Sequence, residues 1–189
     1  MSYWKLHSSK PVVGFSIAID ILILDQISKW LVLEYVLKEH VQPNGLRLGL
    51  WEWLTTTPPR LPHVSVDVLP FFNLTMVWNE GISFGLFQGS GVWILSAIAI
   101  VIAALFSYWL TKATGWVQTI SLGMVRGGAI GNVFDRARFG GVADFLDFHV
   151  MGWHSPAFKV ADCAIVVGIA LLVFDGVFLE DKRNAKVAA

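Results

Sequence analysis

Charge is scarce in this sequence, cysteine is nearly absent, and no stretch is dominated by one sign of charge. Asp, Glu, Lys and Arg make up only 15% of the 189 residues, and 14 basic residues balance 14 acidic ones. A chain without net charge has no electrostatic footprint for nucleic acid. A single Cys excludes an internal disulfide framework and any multi-cysteine zinc or iron–sulfur site. The shortage of charge also excludes a disordered tail protein, because such chains are poor in apolar residues. What is abundant is apolar: 55% of the residues are hydrophobic and the mean hydropathy is +0.61. Such a chain does not leave its surface in water, so its first partner is membrane lipid.

A helix needs about 20 mostly apolar residues to cross a bilayer, and four stretches approach that length: 12–33, 92–110, 116–134 and 161–179. The first is too long for a signal-peptide core and carries Asp20, Asp25 and Lys29, so it is expected to stay attached. Between the first two lies a proline-punctuated segment with alternating runs such as Val64-Ser-Val-Asp-Val and Phe72-Asn-Leu-Thr-Met-Val-Trp, which read as short strands. The expected fold is therefore an all-α membrane protein, a single integral domain with a four-transmembrane-helix bundle and a small outward-facing β element over about 44–88. Lys5, Lys10, Lys112, Lys182, Arg183 and Lys186 flank one side of the spans and place both termini in the cytoplasm. Arg136 and Arg138 are the two charges against that orientation.

With this topology, Asp25, Lys29, Asn79, Asn132, Asp135, Arg136, Asp144 and Asp162 all fall at the outer ends of spans or in the adjoining loops. A charged residue within a span costs about 2.5–3.5 kcal/mol on insertion scales. Convergence from several segments therefore points to a shared polar site rather than to scattered interfacial residues. Gly127 and Gly131 form a small-xxx-small pair suited to close helix packing, and Asn132 and Arg136 share a helix face at i, i+4. Asp25 and Lys29 have the favourable i, i+4 order for an ion pair, self-satisfied or in contact with substrate. Asn79 followed two residues later by Gly81 reads as a turn after a strand, suited to hydrogen-bonding a peptide backbone.

Two aspartates sit among apolar residues, in Val142-Ala-Asp144-Phe and Val160-Ala-Asp162-Cys. Carboxylates held close cannot both ionise, so they share a proton and can activate water against a carbonyl, one as base and one as acid. The bland reading of Asp162 is a cap at the start of the fourth span. Cys163, with His149 and His154 upstream, offers no convincing nucleophile: a lone Cys in an apolar run is usually a small buried hydrophobe. The two histidines lack a third ligand, so no zinc site is expected. Trp78, Trp93 and Trp153 fit an interfacial aromatic belt.

Together these residues resemble a family, the lipoprotein signal peptidases (signal peptidase II) of the bacterial inner membrane. The resemblance runs through Asp25-Gln-Ile-Ser-Lys29, Phe72-Asn-Leu, Asn79-Glu-Gly-Ile-Ser-Phe84, Gly127-Gly-Ala-Ile-Gly-Asn-Val-Phe-Asp-Arg136, Gly141-Val-Ala-Asp144-Phe and Phe158-Lys-Val-Ala-Asp162, in the family's order over about 140 residues. It implies a multi-pass aspartic endopeptidase that removes the signal peptide of a diacylglyceryl-modified prolipoprotein just before the lipidated Cys, at the periplasmic face. Asp144 and Asp162 match the catalytic pair. Asn79, Gly81, Asn132 and Arg136 match substrate-binding positions, and Asp25, Lys29 and Asp135 match supporting ones. The resemblance implies no metal and no organic cofactor.

Three features depart from the family's pattern: Lys159 stands where it usually has Asn, Arg126 replaces an apolar residue, and the 34–70 segment is longer than usual. An ammonium near Asp162 would favour its carboxylate and disturb proton sharing, unless Lys159 turns to water. Asp20 is the expected partner of Arg126, since both lie near mid-bilayer. The alternatives are a catalytically impaired member that only binds lipoprotein precursors, and a small ion-coupled transporter using Asp25, Asp144 and Asp162 as a relay.

Overall fold

The computed structural model describes residues 3–81 and 91–179. Four long helices carry the chain: α1 (Tyr3–Trp30), α4 (Gly91–Lys112), α5 (Trp116–Phe139) and α6 (Val160–Phe178). After Trp30 the helix continues through a π-helical stretch, Leu31–Leu37, into α2 (Lys38–Val41), and a short α3 (Leu50–Thr55) follows. Strands β1 (Ser65–Leu69), β2 (Phe72–Asn79), β3 (Val142–Val150) and β4 (Trp153–His154) form an antiparallel sheet in the order β1-β2-β3-β4.

Among the described residues three helices are long and apolar enough to cross a membrane: Ser9–Val41, Gly91–Lys112 and Val160–Phe178. The third expected span exists as a helix, α5, but it carries Arg126, Asp135, Arg136 and Arg138 and falls outside that group. The protein is thus predominantly helical with three candidate spans and a small sheet. The 44–88 region is only partly β, for α3 occupies part of it. The sheet instead recruits β3 from beyond α5, a stretch whose apolar and acidic residues do not alternate cleanly enough to read as a strand from sequence. Ile82, Ser83 and Phe84, and the flanking charges Lys182, Arg183 and Lys186, lie outside the described residues.

By its contacts the chain divides into two units. One comprises 1–23, 98–131 and 161–189 and is made of helices. Its packing turns on small residues. A Cβ added at Gly123 would come within 2.6 Å of the Gly14 carbonyl oxygen on α1, and one at Gly127 within 2.7 Å of the Ala18 oxygen. Gly128 lies as tightly against the Ala161 carbonyl of α6, and α6 returns the approach with Gly168, where a Cβ would stand 2.9 Å from the Ser121 oxygen. Gly127 of the expected pair thus approaches α1 closely, and so does Gly123 one turn earlier. Backbones this close maximise dispersion contact where lipid removes any hydrophobic drive for association.

Three hydroxyls in this unit bond back one turn along the chain, Ser107 to the Ala103 carbonyl (2.6 Å), Thr119 to Gly115 (2.8 Å) and Ser121 to Val117 (2.7 Å). Arg126 exploits one of them. Its Nε donates to Ser107 Oγ at 2.7 Å, and its guanidinium lies 4.6 Å from the Phe15 ring centroid. The expected Asp20 partner is not used, since Asp20 is exposed. The outer faces of α4 and α6 show Ile98, Val101, Leu105, Val166, Val173 and Val177 uncovered, an apolar surface that lipid solvates and water does not.

The second unit, 24–97 and 132–160, holds the sheet. Leu33, Leu37, Trp53, Met76, Phe139, Ala143 and Phe145 form its core. The wider π-helical turn brings Leu33, Glu34 and Leu37 to buried positions together, and Glu34 accepts from Lys38 Nζ (2.7 Å) and from the Leu48 N–H (3.0 Å). Trp78 belongs to this interior rather than to an interfacial belt, donating to the Leu61 carbonyl at 2.9 Å and packing 5.5 Å from the Phe139 ring. Trp93 and Trp153 are exposed.

Candidate active site

Successive strand residues point to opposite faces of a sheet. Ala143 and Phe145 of β3 enter the core, so Asp144 between them projects from the other face. The register pairs Asp144 with Val77 and Val142 with Asn79, which makes Asn79 a diagonal neighbour of Asp144 on that face. Asn79 Nδ2 donates to Asp144 Oδ2 at 3.2 Å. The Gly81 N–H donates to Asn79 Oδ1 at 3.1 Å, the turn expected from the Asn-Glu-Gly order, and so fixes which end of the amide faces the carboxylate. Gly81 has φ +125°, a conformation that L side chains rarely adopt, and a Cβ there would lie 3.0 Å from Leu95 Cδ1.

The other oxygen of Asp144 has a cationic partner. Leu146 and Phe158 form an antiparallel bridge, with N–H to carbonyl distances of 2.8 and 3.0 Å, that lays the approach to α6 along β3. Lys159 follows immediately, and its Nζ stands 2.6 Å from Asp144 Oδ1. Asp144 is 3% exposed and Lys159 2%, so this is a buried ion pair. The sequence points to Asp162, three residues on, as the carboxylate Lys159 affects; the sheet contact also brings the ammonium to Asp144. Asp162 lies in the first turn of α6, half-buried, in the helical unit. Cys163 beside it is exposed rather than buried.

A second cluster gathers Asp25, Lys29 and Asp135, all fully buried. Lys29 Nζ pairs with Asp25 Oδ2 one turn away and with Asp135 Oδ2 of α5 at 2.7 Å. Gln26 joins both carboxylates, donating from Nε2 to Asp135 Oδ1 at 3.0 Å and to Asp25 Oδ2 at 3.2 Å. Arg138 Nη1 reaches Gln26 Oε1 at 3.3 Å, while Nη2 binds the carbonyls of Trp53 and, at 2.9 Å, Thr56. Its guanidinium also covers the Trp53 ring, 4.4 Å from the centroid. Burying one ammonium between two carboxylates is tolerable only when the carboxylates also find hydrogen-bond donors, and Gln26 supplies one bond to each.

Asn132 and Arg136 occupy one face of α5, with Arg136 Nη1 donating to the Asn132 carbonyl at 3.3 Å; both side chains are half-buried. Sequence reasoning missed Gln26 and Arg138 as members of the polar cluster. Arg138 was legible only as a charge against the topology, because its partners Trp53 and Thr56 lie some eighty positions away. His149 and His154 stack with ring centroids 5.0 Å apart and turn to Asn73 and Asp147, respectively.

The family model described as Signal peptidase (SPase) II matches residues 17–178. Among curated relatives, a protein named lipoprotein signal peptidase from Methylobacterium sp. (strain 4-46) is 36% identical over 92% of this chain and 94% of its own length. One of the same name from Paraburkholderia phymatum is 46% identical over 57% of this chain and 68% of its own. Two solved structures of a bacterial membrane enzyme share the fold: one has a TM-score of 0.64 at 24% identity, covering 88% of this chain and 94% of that one. The other has a TM-score of 0.62 at 23% identity, covering 89% and 92%.

Proposed function

Because the chain belongs to the signal peptidase II family and is therefore an aspartic peptidase of a bacterial membrane, we propose that it cleaves the signal peptide from diacylglyceryl-modified prolipoproteins, just before the lipidated Cys, with Asp144 and Asp162 as its catalytic pair. The observation that carries this reading is the preparation of Asp144: a buried carboxylate on the face of the sheet opposite Ala143 and Phe145, with a donor on each oxygen. A carboxylate held that firmly keeps its direction toward a reacting water, which is the requirement of general acid–base hydrolysis. One member of the pair takes a proton from water as its oxygen attacks the scissile carbonyl. The other gives a proton to the carbonyl oxygen, and the amine leaves with the first proton.

The supporting roles follow from the same reading. Asn79 and Gly81 set the end of β2, where an extended signal-peptide segment would add its backbone bonds, and Asn132 with Arg136 lines the substrate path on α5. Asp25, Lys29 and Asp135 brace the outer ends of α1 and α5. In this reading α5 also crosses the membrane, as the third of four spans, both termini are cytoplasmic and the site faces outward. The family match leaves an ion-coupled transporter without support.

The deciding assay is cleavage of a diacylglyceryl-modified prolipoprotein by the purified protein in liposomes. The native chain is expected to cleave, and Asp144→Asn and Asp162→Asn are each expected to lose at least a thousandfold in rate, since members of a catalytic pair act as a unit. Retained cleavage in either variant would remove that residue from the mechanism. A native chain that binds the precursor without cutting it would leave a binding-only protein.

A further inference from the structure

We infer that Lys159 divides the work of the aspartate pair, holding Asp144 ionised as the base that takes the proton from water and leaving Asp162 as the acid. The inference rests on the catalytic reading of Asp144 given above and goes beyond it by assigning the two roles and by making Lys159 a positioning residue.

The argument starts from hydrogen-bond inventory. An ionised carboxylate only accepts, whereas a protonated carboxyl must also donate its O–H. Asp144 has a donor on each oxygen: Lys159 Nζ on Oδ1 at 2.6 Å and Asn79 Nδ2 on Oδ2 at 3.2 Å. The Asn79 amide cannot turn its oxygen to Asp144 without giving up the Gly81 N–H. Lys159 has only donors to offer. Both contacts therefore favour the anion, and at 3% and 2% exposure water screens the charge pair little.

Two acidic groups flanking Asp144 on the sheet are engaged elsewhere. Glu80, just past β2, pairs with Arg60 Nη1, and Asp147 further along β3 pairs with His154 Nδ1 at 2.8 Å. Asp162 follows Lys159 by three residues at the start of α6.

The anchoring also explains why Lys159 can sit there. The Leu146–Phe158 bridge fixes the backbone one residue before it, so the ammonium is delivered to β3 by main-chain bonds and not by a flexible stem alone. In the cycle, Asp144 accepts the proton of water as the new C–O bond forms and Asp162 protonates the carbonyl oxygen. On collapse the C–N bond breaks, Asp144 passes its proton to the departing amine, and the carbonyl reforms as its O–H proton returns to Asp162. The pair ends as it began, and Lys159 keeps its charge throughout.

The test is the pH dependence of kcat/KM for prolipoprotein cleavage by the native chain, Lys159→Gln, Lys159→Arg and Asp144→Asn in liposomes. Removing an opposite charge from beside a carboxylate raises its proton affinity, so the acidic limb of Lys159→Gln is expected to move upward by about one to three pH units. Lys159→Arg is expected to hold the limb near its native position. A limb unmoved in Lys159→Gln, or faster cleavage at every pH, overturns the inference.

Should Lys159→Gln fail to fold, the 13C carboxyl resonance of Asp144 in the native chain, assigned by its loss in Asp144→Asn, decides. It is expected to remain ionised below the ordinary aspartate midpoint of about 3.9, and protonation above that midpoint overturns the inference. Cleavage that survives Asp144→Asn instead overturns the underlying catalytic reading.

Discussion

At the scale of single residues, the pairing of Lys29 with two acidic partners has the sharpest consequence. Removing one member of a buried ionic group leaves the others uncompensated and typically costs about 3–5 kcal/mol. Lys29→Met is thus expected to lower thermal stability in detergent markedly, with two carboxylates left against each other. Replacing Asp25, Lys29 and Asp135 together by apolar residues of similar volume is expected to restore most of that stability, because the desolvation cost disappears with the charges. A triple variant no more stable than Lys29→Met would show that Gln26 and Arg138 depend on the charges to keep their places. The i, i+4 order of Asp25 and Lys29 was legible in the sequence because it is local. Asp135 could be recognised as polar but not assigned to Lys29, since nothing within a helix reports a partner from another helix.

At the scale of elements, glycines of α5 pack closely on its neighbours, Gly123 and Gly127 toward α1 and Gly128 toward α6. Gly128→Val would drive methyl groups into the Ala161 carbonyl, a backbone atom that cannot rotate aside. Overpacking of this kind costs about 1–3 kcal/mol, occasionally more. A Cβ added at Gly176 of α6 would meet no atom within 4 Å, so Gly176→Ala should be neutral or stabilising by about 0.4–1 kcal/mol. Thermal unfolding of the two variants side by side checks both, and equal losses would discount the packing argument. The Gly-rich run on α5 was legible as a packing motif, and Gly127 does approach α1, with Gly123 one turn earlier doing the same. Which glycine faces which helix depends on the helix's rotation, and sequence spacing leaves that open.

For the whole molecule, hydropathy made the helices legible and charge counting gave an orientation, because both reflect transfer between water and lipid. The sheet was only half legible. Strands β1 and β2 alternate visibly, whereas β3 is buried for most of its length, which erases the alternation. That loss hid the placement of Asp144 on a strand and its contact with Lys159. Orientation is open to direct measurement. With Cys163 replaced by Ala, a cysteine at the fully exposed Met151 is expected to react with a membrane-impermeant maleimide added outside intact spheroplasts. Labelling only after lysis would reverse the topology.

Pairing of β2 with β3 also carries a schedule. Asn79 ends one strand and Val142 opens the other, about sixty residues later, with α4 and α5 between them. At synthesis rates of about 5–20 residues per second the first strand waits roughly 3–12 seconds for its neighbour. Asp144, its amide partner and its ammonium partner can meet only after α5 has been made. On the catalytic reading proposed for Asp144, a nascent chain stays inert until Lys159 has been made, and truncation before Lys159 leaves a protein that is inserted but unarmed.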